Sequence, residues 1–408
     1  MKMKLILGAA LLAGVCLGTQ PDTAEAAGKW NTEKTVTVTG ENAVFDAYLS
    51  NDGKESWIYK VKLDKPVKKL VFPEKINNLP VTRLGFGDEL YEEDADWYYS
   101  IFGETLEPWH GCYGHGVNIK EIESISFPST VTTIEGGSFS GLSALKKVKL
   151  PDGMKELESY SFSACTSLKE VKLPAKLENF NTVAFKKSRK IKKLSISSKS
   201  KTFQTKNGLL IKKDKKSLVW ITPVLKTVTI PKGVKEIADF GLAGTKAKKV
   251  VIPKSIRKIG FSALTGKDIE KIELKKGNKV YKMDGSSIYN KSNGQLAAVL
   301  VKNGRVKISS KVKILGEGTS VMGGHIARVD IPKSVKKVIE EWMFFESILT
   351  KVYFHGKKPP VIKSKYSGQV FTALPIFNEV YVPKGAKKTY IRWAKDRDGL
   401  KWDRLKTF

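Results

Sequence analysis

The chain has 408 residues, a formal net charge of +31 at pH 7 and only three cysteines. So few cysteines exclude a small disulfide-stabilised scaffold, and the length allows a large hydrophobic core instead. The positive charge indicates attraction to acidic polymers or surfaces, although net charge carries no information about the fold.

The first 26 residues have the three-part pattern of a secretory signal peptide. Lys2 and Lys4 precede an apolar run at 5–17, and the segment ends in small residues up to Ala26. We therefore expect a secreted, extracellular product, with association to the cell wall as an alternative. The apolar run is too short to cross a bilayer, since a spanning helix needs about 18 or more consecutive apolar residues.

One seven-residue phrase recurs along the chain. It reads LKKVKLP at 145–151, LKEVKLP at 168–174, LKTVTIP at 225–231 and AKKVVIP at 247–253, with looser copies elsewhere. Neighbouring copies are commonly 22 or 23 residues apart, a period typical of proteins built from stacked repeats. Twelve such phrases end near residues 72, 127, 150, 173, 196, 230, 252, 274, 308, 331, 354 and 382.

Within each phrase, apolar residues alternate with polar ones, which is the pattern of a short strand with one buried side. The proline that follows many phrases ends strand pairing and forces a turn. A single coil cannot bury its own apolar residues, so equivalent strands are expected to form a parallel sheet over a shared core. The residues predicted to lie in one continuous core are Val148, Leu150, Val171, Leu173, Val228, Ile230, Val250, Ile252, Val329 and Ile331.

Two longer repeats contain dipeptides that are typical of tight hairpin turns. The first holds Asn207-Gly208 between two apolar runs, and the second holds Asp284-Gly285 and Asn293-Gly294. Asn, Asp and Gly accept the positive φ angles that two-residue hairpins require. The sequence therefore predicts β-hairpin islands at about 198–224 and about 276–305.

These repeats resemble the BspA-type leucine-rich repeats of bacterial surface proteins. The resemblance covers roughly 65–408 and includes Phe162 and Cys165 ahead of one phrase, an opening unit at 71–85 and a closing unit at 380–393. It implies a leucine-rich-repeat solenoid or arc with a parallel β-sheet face, β-rich with short helical or turn segments. It also implies a binding role at the cell surface and supplies no catalytic residues.

The predicted domain order follows from these segments. Residues 1–26 form the signal peptide, and 27–64, where apolar and polar residues alternate, form an N-terminal β cap. The solenoid occupies 65–376, and 377–408 form a C-terminal capping unit, because terminal repeats must be atypical to stay soluble. We expect the secreted protein to be a monomer.

The outward positions on the predicted strands are rich in basic residues. Of 24 such positions, eleven are Lys or Arg and four are acidic, so the sheet face is expected to be positive. One interpretation is a ladder for an anionic polymer, with charges about 5 Å apart, inside the screening length of roughly 8 Å. The other is solubility, because stacked lysines keep a long sheet from pairing with other chains. The candidate ligand-binding residues are Lys147, Lys149, Lys172, Lys193, Lys249, Lys271, Arg305, Lys307, Arg328 and Lys351.

The partner predicted for this face is a macromolecule, either a protein or an anionic polymer such as a polysaccharide or teichoic acid. Nucleic acid is disfavoured, because no nucleic-acid-binding motif is present and aromatic residues do not alternate with the basic positions. Export would make wall teichoic acids and sulfated host glycans the more accessible polyanions.

Residues 88–116 form an insertion with eight carboxylates and no Lys or Arg. Acidic groups beside aromatic side chains can bind sugars or a basic partner, so the insertion is a second candidate recognition site. In the alternative interpretation, its aromatics pack on the early coils while its carboxylates pair with lysines. The aromatic candidates are Trp97, Tyr98, Tyr99 and Trp109.

The sequence gives no firm indication of a metal, cofactor or catalytic site. His110, Cys112 and His115 could surround a zinc ion, but they lack the paired spacing of structural zinc sites, so we predict no metal and no cofactor. The chain has no GxSxG, HExxH or phosphate-loop motif, which predicts a protein that is not an enzyme. A carbohydrate-active enzyme that uses the acidic insertion is the minor alternative.

The preferred function is therefore a secreted or cell-surface binding protein, adhesin-like or a scaffold, that presents an extended repeat surface to a macromolecular ligand. The alternative is a cell-wall-associated protein that is held by an anionic polymer such as teichoic acid. The two differ in whether the charge serves recognition of a ligand or retention of the protein at the wall.

Overall fold

The computed structural model describes residues 29–85, 98–99, 105–106, 119–323, 325–339, 349–363, 379–395 and 405–408. The chain divides into two compact units. The first unit comprises Met1–Asp214 and Thr222–Val224, and the second comprises Lys215–Ile221 and Leu225–Phe408.

The described part of the first unit consists mainly of short strands joined by turns, because each coil has few extended residues between its turn residues. A 3-10 helix lies at Ile119–Glu121. The strands are β1 (Trp30–Thr39), β2 (Val44–Ser50), β3 (Ser56–Lys62), β4 (Lys69–Val71), β5 (Lys75–Ile76), β6 (Leu79–Leu84), β7 (Tyr98–Tyr99), β8 (Thr105–Leu106), β9 (Ser124–Ser126), β10 (Thr133–Ile134), β11 (Lys147–Lys149), β12 (Glu156–Leu157), β13 (Glu170–Leu173), β14 (Asn179–Phe180), β15 (Lys193–Ile196), β16 (Phe203–Lys206) and β17 (Leu209–Lys212).

Successive coils of the first unit contribute strands to two parallel ladders. The repeated phrase forms the sheet β11-β13-β15 and the pair β4-β9. The second apolar step of each coil forms β6-β10-β12-β14, which β3 joins in parallel. β2 and β1 continue this second ladder as antiparallel strands, and β16 and β17 pair as a hairpin. Equivalent residues of successive coils are thereby brought side by side.

The core of the first unit follows from this register. Val148 and Val171 are direct neighbours on β11 and β13, and both are buried. Phe139, Phe162 and Phe185, one from each of three coils, stack with ring centroids 5.3 Å and then 5.9 Å apart. Each buried aliphatic or phenyl side chain contributes about 1.5–3 kcal/mol relative to exposure, so stacking of coils stabilises what one coil cannot.

The second unit contains the remaining strands and, in its described part, one α-helix. These elements are β18 (Ser217–Ile221), β19 (Thr227–Thr229), β20 (Glu236–Ile237), β21 (Lys249–Ile252), β22 (Lys258–Ile259), β23 (Lys271–Leu274), β24 (Tyr281–Asp284), β25 (Ser287–Asn290), β26 (Gln295–Leu300), β27 (Arg305–Lys307), β28 (Ile314–Met322), β29 (Ile326–Ile331), β30 (Lys337–Ile339), β31 (Leu349–Phe354), β32 (Val361–Lys363), β33 (Glu379–Val382), α1 (Lys387–Lys395) and β34 (Leu405–Thr407).

The second unit repeats the two-ladder scheme. The repeated phrase forms the parallel sheets β19-β21-β23 and β27-β29-β31-β33-β34. The second apolar step forms β18-β20-β22 and β28-β30-β32. The antiparallel strands β24, β25 and β26 join β28 through a parallel pairing of β26. These three antiparallel strands therefore extend the second ladder.

Helix α1 closes the C-terminal end of the core of the second unit. Tyr390 is fully buried, its ring centroid lies 5.2 Å from that of Phe354, and its hydroxyl donates to the carbonyl of Gly356 at 3.0 Å. This contact covers apolar surface that another coil would otherwise cover. Within the described part of the chain, no helix has the length and apolar composition needed to span a membrane.

The predicted leucine-rich-repeat solenoid is confirmed. All twelve phrases form strands, and β34 adds a further strand beside β33. The ten predicted core side chains are buried, with at most 4% exposed, while their continuity in a single core stays a prediction. At the first predicted hairpin turn, Asn207 and Gly208 have φ angles of 51° and 76° between β16 and β17. The predicted signal peptide lies outside the described residues.

Candidate binding surface

The ten basic residues predicted to bind a ligand lie on three different sheets. Those on β11-β13-β15 of the first unit are Lys147, Lys149, Lys172 and Lys193. Those on β19-β21-β23 of the second unit are Lys249 and Lys271. Those on β27-β29-β31-β33-β34 of the second unit are Arg305, Lys307, Arg328 and Lys351. The surroundings of the basic groups differ from one sheet to the next.

The sheet β11-β13-β15, named the basic sheet below, places outward side chains in rows that run across its strands. The rows on the strands are Lys147, Glu170, Lys193 and then Lys149, Lys172, Ser195. Neighbouring strands are about 4.8 Å apart, so neighbouring charges in a row lie close together. The lysines are open to solvent; the side chains of Lys147 and Lys149 are 73% and 66% exposed.

The structure adds a third row that is absent from the predicted set. Lys146, Lys169 and Lys192 directly precede the three strands and are exposed. The amide of Lys169 donates to the carbonyl of Lys146, and that of Lys192 to Lys169, each at 2.9 Å. The signal was present in the sequence as the lysine at the second position of LKK, LKE and IKK. It was missed because only positions alternating with buried residues were counted.

Few carboxylates offset these lysines. Oε2 of Glu170 lies 3.7 Å from Nζ of Lys147 and 3.8 Å from Nζ of Lys193, so one carboxylate is shared by two lysines. Lys146 pairs with Glu123 at 2.6 Å, and this hydrogen bond lowers the pKa of the Glu123 carboxyl. Exposed pairs of this kind hold charges together weakly, because water and salt screen them.

The remaining lysines of the basic sheet have little or no compensation. Lys149 reaches Asp152 at 4.0 Å, and both side chains are mostly exposed. Lys169, Lys172 and Lys192 form no ion pair with a carboxylate of the described residues. The nine positions of the three rows hold seven lysines, one glutamate and one serine, a net charge of +6. Each ammonium group also offers three hydrogen-bond donors to an anion.

The sheet β19-β21-β23 has a weaker positive character. Nζ of Lys249 lies 3.3 Å from a carboxylate oxygen of Glu273. Hydrogen bonds from Lys275 and Lys249 lower the pKa of the Glu273 carboxyl. Val251, which was counted among the outward positions, is buried; its neighbours on the adjacent strands are Thr229 and Glu273. Of the two predicted residues on this sheet, Lys249 is paired, whereas Lys271 forms no ion pair within the described part of the chain.

On β27-β29-β31-β33-β34 the basic groups converge on Asp330. This residue is at a predicted outward position but is only 4% exposed, because its carboxylate accepts hydrogen bonds from three side chains. Arg305 donates through Nε, Arg328 donates through Nε and Nη2 at 2.9 and 2.6 Å, and Nε2 of His355 lies 2.9 Å away. Burial raises the pKa of Asp330, but the hydrogen bonds from Arg328, Arg305 and His355 outweigh it and hold the pKa well below its usual value.

Two tyrosines stack beside this ion cluster. The rings of Tyr353 and Tyr381 are parallel within 1°, with centroids 4.2 Å apart. The guanidinium carbon of Arg328 lies 3.5 Å from the centroid of the Tyr353 ring. Both faces of the Tyr353 ring are therefore in contact with protein groups. Such an arrangement stabilises the sheet surface and leaves no free face of this ring for a ligand.

Glu379 is the second acidic residue of this sheet that pairs with basic side chains. It accepts hydrogen bonds from Lys406 and from the hydroxyl of Tyr381, which lower the pKa of the carboxyl to about 2. The same carboxylate raises the pKa of Tyr381 to about 12 and lies 3.4 Å from Nζ of Lys351. Lys307 is exposed and forms no ion pair with the described residues. The basic groups here are mostly engaged by acidic partners on the same sheet.

The other predicted sites fall largely outside the described residues. Trp97 and Trp109 lie outside them, whereas Tyr98–Tyr99 form β7 and pair with β8. The possible zinc ligands His110, Cys112 and His115 also lie outside them. In the part of the chain that the structure describes, no group of three or more His, Cys, Asp or Glu side chains is placed to hold a metal ion. The absence of a metal stays a prediction.

Comparison with known families identifies the repeats. The family described as "BspA type Leucine rich repeat region" matches in six copies, over residues 117–207 and 222–312. The prediction of BspA-type repeats is confirmed. No curated protein matches the chain.

Several solved bacterial structures are similar to this chain. A leucine-rich cell surface protein from Faecalibacterium prausnitzii A2-165 is 15% identical with a TM-score of 0.35, over 80% of this chain and 96% of its own. The pneumococcal vaccine antigen PcpA is 15% identical with a TM-score of 0.39, over 91% and 98%. A leucine-rich-repeat protein from Bacteroides ovatus ATCC 8483 is 16% identical with a TM-score of 0.31, over 91% and 99%. At such low identities and TM-scores we draw no conclusion about function from these likenesses.

Proposed function

This chain carries BspA-type leucine-rich repeats, and we propose that it is a secreted or cell-surface binding protein, adhesin-like or a scaffold, that is not an enzyme. Stacked coils place the outward side chains of many short strands on an extended surface, which suits recognition of a large ligand better than chemistry in a cleft. A repeat scaffold of this kind leaves the identity of the ligand to its surface residues, so the proposal depends on the outward side chains described above.

The basic sheet supports an anionic polymer as the ligand. Its seven lysines stand on three adjacent coils, and the main carboxylate among them, Glu170, is already shared by two lysines. Row neighbours are separated by about 4.8 Å, well within the roughly 8 Å screening length of physiological salt, so their fields add. Polymers with sulfate or phosphodiester groups, such as sulfated glycans and teichoic acids, present matching charge.

The alternative is a cell-wall-associated protein that the same lysines hold to wall teichoic acid. Fractionation of the producing cells at low and high salt separates the two functions. If salt releases most of the protein from the walls, the wall-associated function is favoured, because counterions compete with the polymer for the lysines. Recovery of most of the protein in the medium at low salt would favour a ligand elsewhere.

Charge reversal on the basic sheet tests the proposed site. The combined variant Lys147→Glu, Lys149→Glu and Lys172→Glu should weaken binding to heparin or teichoic acid about tenfold or more at physiological salt. The control reverses three exposed lysines of the second unit, Lys276, Lys279 and Lys282, with the same change in net charge. Equal losses from the two variants would mean that total charge, rather than the basic sheet, attracts the polymer.

A further inference from the structure

A run of basic residues leads into the last strand of the basic sheet. Residues 186–193 read KKSRKIKK. The first five, 186–190, form turns before β15 and are named the basic loop below. The last two, Lys192 and Lys193, already belong to rows of the basic sheet. The loop therefore places four further positive charges in direct continuation of that surface.

The equivalent turns of the two preceding coils carry no charge. They read SACTS at 163–167 and SGLSA at 140–144, each 23 residues before the next. Corresponding backbone bonds join the three turns: the amide of Gly141 donates to Ser163 at 2.9 Å, and that of Ala164 donates to Lys186 at 2.8 Å. Uncharged residues thus occupy equivalent turns in this stack, and the fold does not require the charges of the basic loop.

The basic loop is anchored to the coil beneath it. Ser188 is 1% exposed, its hydroxyl donates to the carbonyl of Phe162 at 2.8 Å, and its oxygen accepts from the amide of Cys165 at 2.9 Å. Ile191, which follows the loop, is fully buried. These anchors hold the backbone from which the charged side chains project. An anion would then order mainly side chains, which lowers the entropy cost of binding.

Three of the four charged groups of the basic loop are available to a ligand. Lys187 and Lys190 are exposed and Arg189 is partly exposed. None of these three forms an ion pair with a carboxylate of the described residues. Lys186 differs, since its ammonium lies 5.4 Å from the centroid of the Tyr160 ring. A guanidinium group can donate two parallel hydrogen bonds to two oxygens of one sulfate or phosphate, which an ammonium group cannot do.

We propose that the basic loop and the basic sheet form one site for a linear polymer bearing sulfate or phosphodiester groups. The polymer crosses β15, Arg189 makes a bidentate contact with one anionic group, and Lys190, Lys192 and Lys193 contact its neighbours. This inference rests on the proposed function, and it adds a segment and a contact that the repeat pattern alone does not contain.

The test replaces the loop charges by residues that the preceding turns already use. The combined variant Lys187→Gly, Arg189→Ser and Lys190→Ala carries the residues found at 141, 143 and 144. Lys187 has a φ angle of 65°, a conformation that glycine adopts without strain, so the variant should fold. Circular dichroism and thermal unfolding of the full chain check this point before binding is measured.

A matched control removes the same number of charges elsewhere, through Lys276→Gln, Lys279→Gln and Lys282→Gln. Fluorescence anisotropy with labelled heparin and with labelled poly(glycerol phosphate) gives affinities at several salt concentrations. The loop variant should bind about tenfold more weakly than wild type at physiological salt. Its slope of log affinity against log salt concentration should be shallower by about two to three. The affinity of the control variant should change little. The polymer that wild type binds more tightly identifies the source of the anionic groups.

Four results decide the inference and the function on which it rests. Equal behaviour of the loop variant and its control would overturn it. Arg189→Lys keeps the charge but not the fork of donors, so a loss of about threefold to tenfold supports the bidentate contact, and unchanged affinity overturns it. Binding that is lost on reversal of Lys147, Lys149 and Lys172 but kept in the loop variant would refute the loop alone. A wild type that binds neither polymer would refute the proposed function itself.

Discussion

The basic sheet of the first unit and the sheet β27-β29-β31-β33-β34 of the second are built on the same repeat. They differ in how far carboxylates on the same sheet neutralise their outward basic side chains. On the basic sheet, Glu170 is shared by two lysines, and Lys169, Lys172 and Lys192 form no ion pair with a described carboxylate. On the second sheet, Asp330 pairs with both arginines, and Glu379 pairs with Lys351 and Lys406. The inward residues of the two sheets are equally apolar and buried. The repeat therefore determines the core and leaves the outward charges free to vary.

This difference bears on whether the lysines serve only solubility. A soluble surface is obtained with interspersed charges of both signs, as on the second sheet, without repulsion between neighbours. The basic sheet instead places Lys149 directly beside Lys172 across β11 and β13. Like charges in such positions destabilise a sheet, so their presence favours a role in binding an anion.

The largest expected effect on stability comes from core substitutions, which test whether the cores of the two units are equivalent. Leu173→Ala in the first unit and Ile331→Ala in the second should each lower the free energy of unfolding of their unit by about 2–5 kcal/mol, because each removes a buried aliphatic group and leaves a cavity. Denaturant unfolding followed by far-ultraviolet circular dichroism and tryptophan fluorescence measures both. A cost below about 1 kcal/mol at one position would show that its core tolerates loss of packing and that the two sheets differ inside as well as outside.

The acidic centres of the two sheets should differ in their contribution to stability. Asp330→Asn should cost about 1–3 kcal/mol, since a buried carboxylate that is hydrogen-bonded to Arg305, Arg328 and His355 is lost, although those partners are partly exposed and can be hydrated. Glu170→Gln should cost no more than about 0.5 kcal/mol, because its ion pairs are long and solvent-screened. Chemical denaturation of both variants at neutral pH provides the comparison. Similar costs would contradict the distinction between a largely compensated sheet and one with an excess of lysines.

Acid should weaken the second sheet through Asp330. Because hydrogen bonds from Arg328, Arg305 and His355 lower its pKa in the folded protein, its contribution is present above the unfolded pKa of about 3.9 and is lost as the pH falls through the folded pKa. Unfolding of the wild type measured from pH 6 down to about pH 2 should show this loss. Asp330→Asn should show a smaller loss over the same range; an identical slope would mean that other carboxyl groups dominate.

The smallest expected effects are shifts in the midpoint of thermal unfolding, which should have opposite signs for one lysine substitution on each sheet. Lys172→Gln removes a positive charge that lies beside Lys149, so the midpoint of thermal unfolding should rise by about 1–2 °C. Lys351→Gln removes a partner of Glu379 at 3.4 Å and should lower the midpoint slightly. Differential scanning calorimetry resolves shifts of this size. A decrease on Lys172→Gln would show that this lysine stabilises the sheet, and its role in binding would lose support.

The sequence by itself determined the strand phrases, the inward residues and the hairpin turns. These features depend on short-range physics: alternation of apolar residues selects one buried side of a strand, proline ends pairing, and Asn207-Gly208 accepts the positive φ angles of a turn. The basic character of the sheet face also followed from composition at the outward positions. These conclusions require only local patterns and their recurrence along the chain.

Only the tertiary structure decided which charges remain uncompensated. Glu170 lies between Lys147 and Lys193 because two coils bring residues 23 positions away to its sides. Asp330 is buried because Arg305 and His355, from neighbouring coils, converge on it. The energy between two charges depends on their distance and on the water around them. Neither quantity is contained in a linear pattern, so a row of lysines and a compensated cluster look alike in sequence until the coils are stacked.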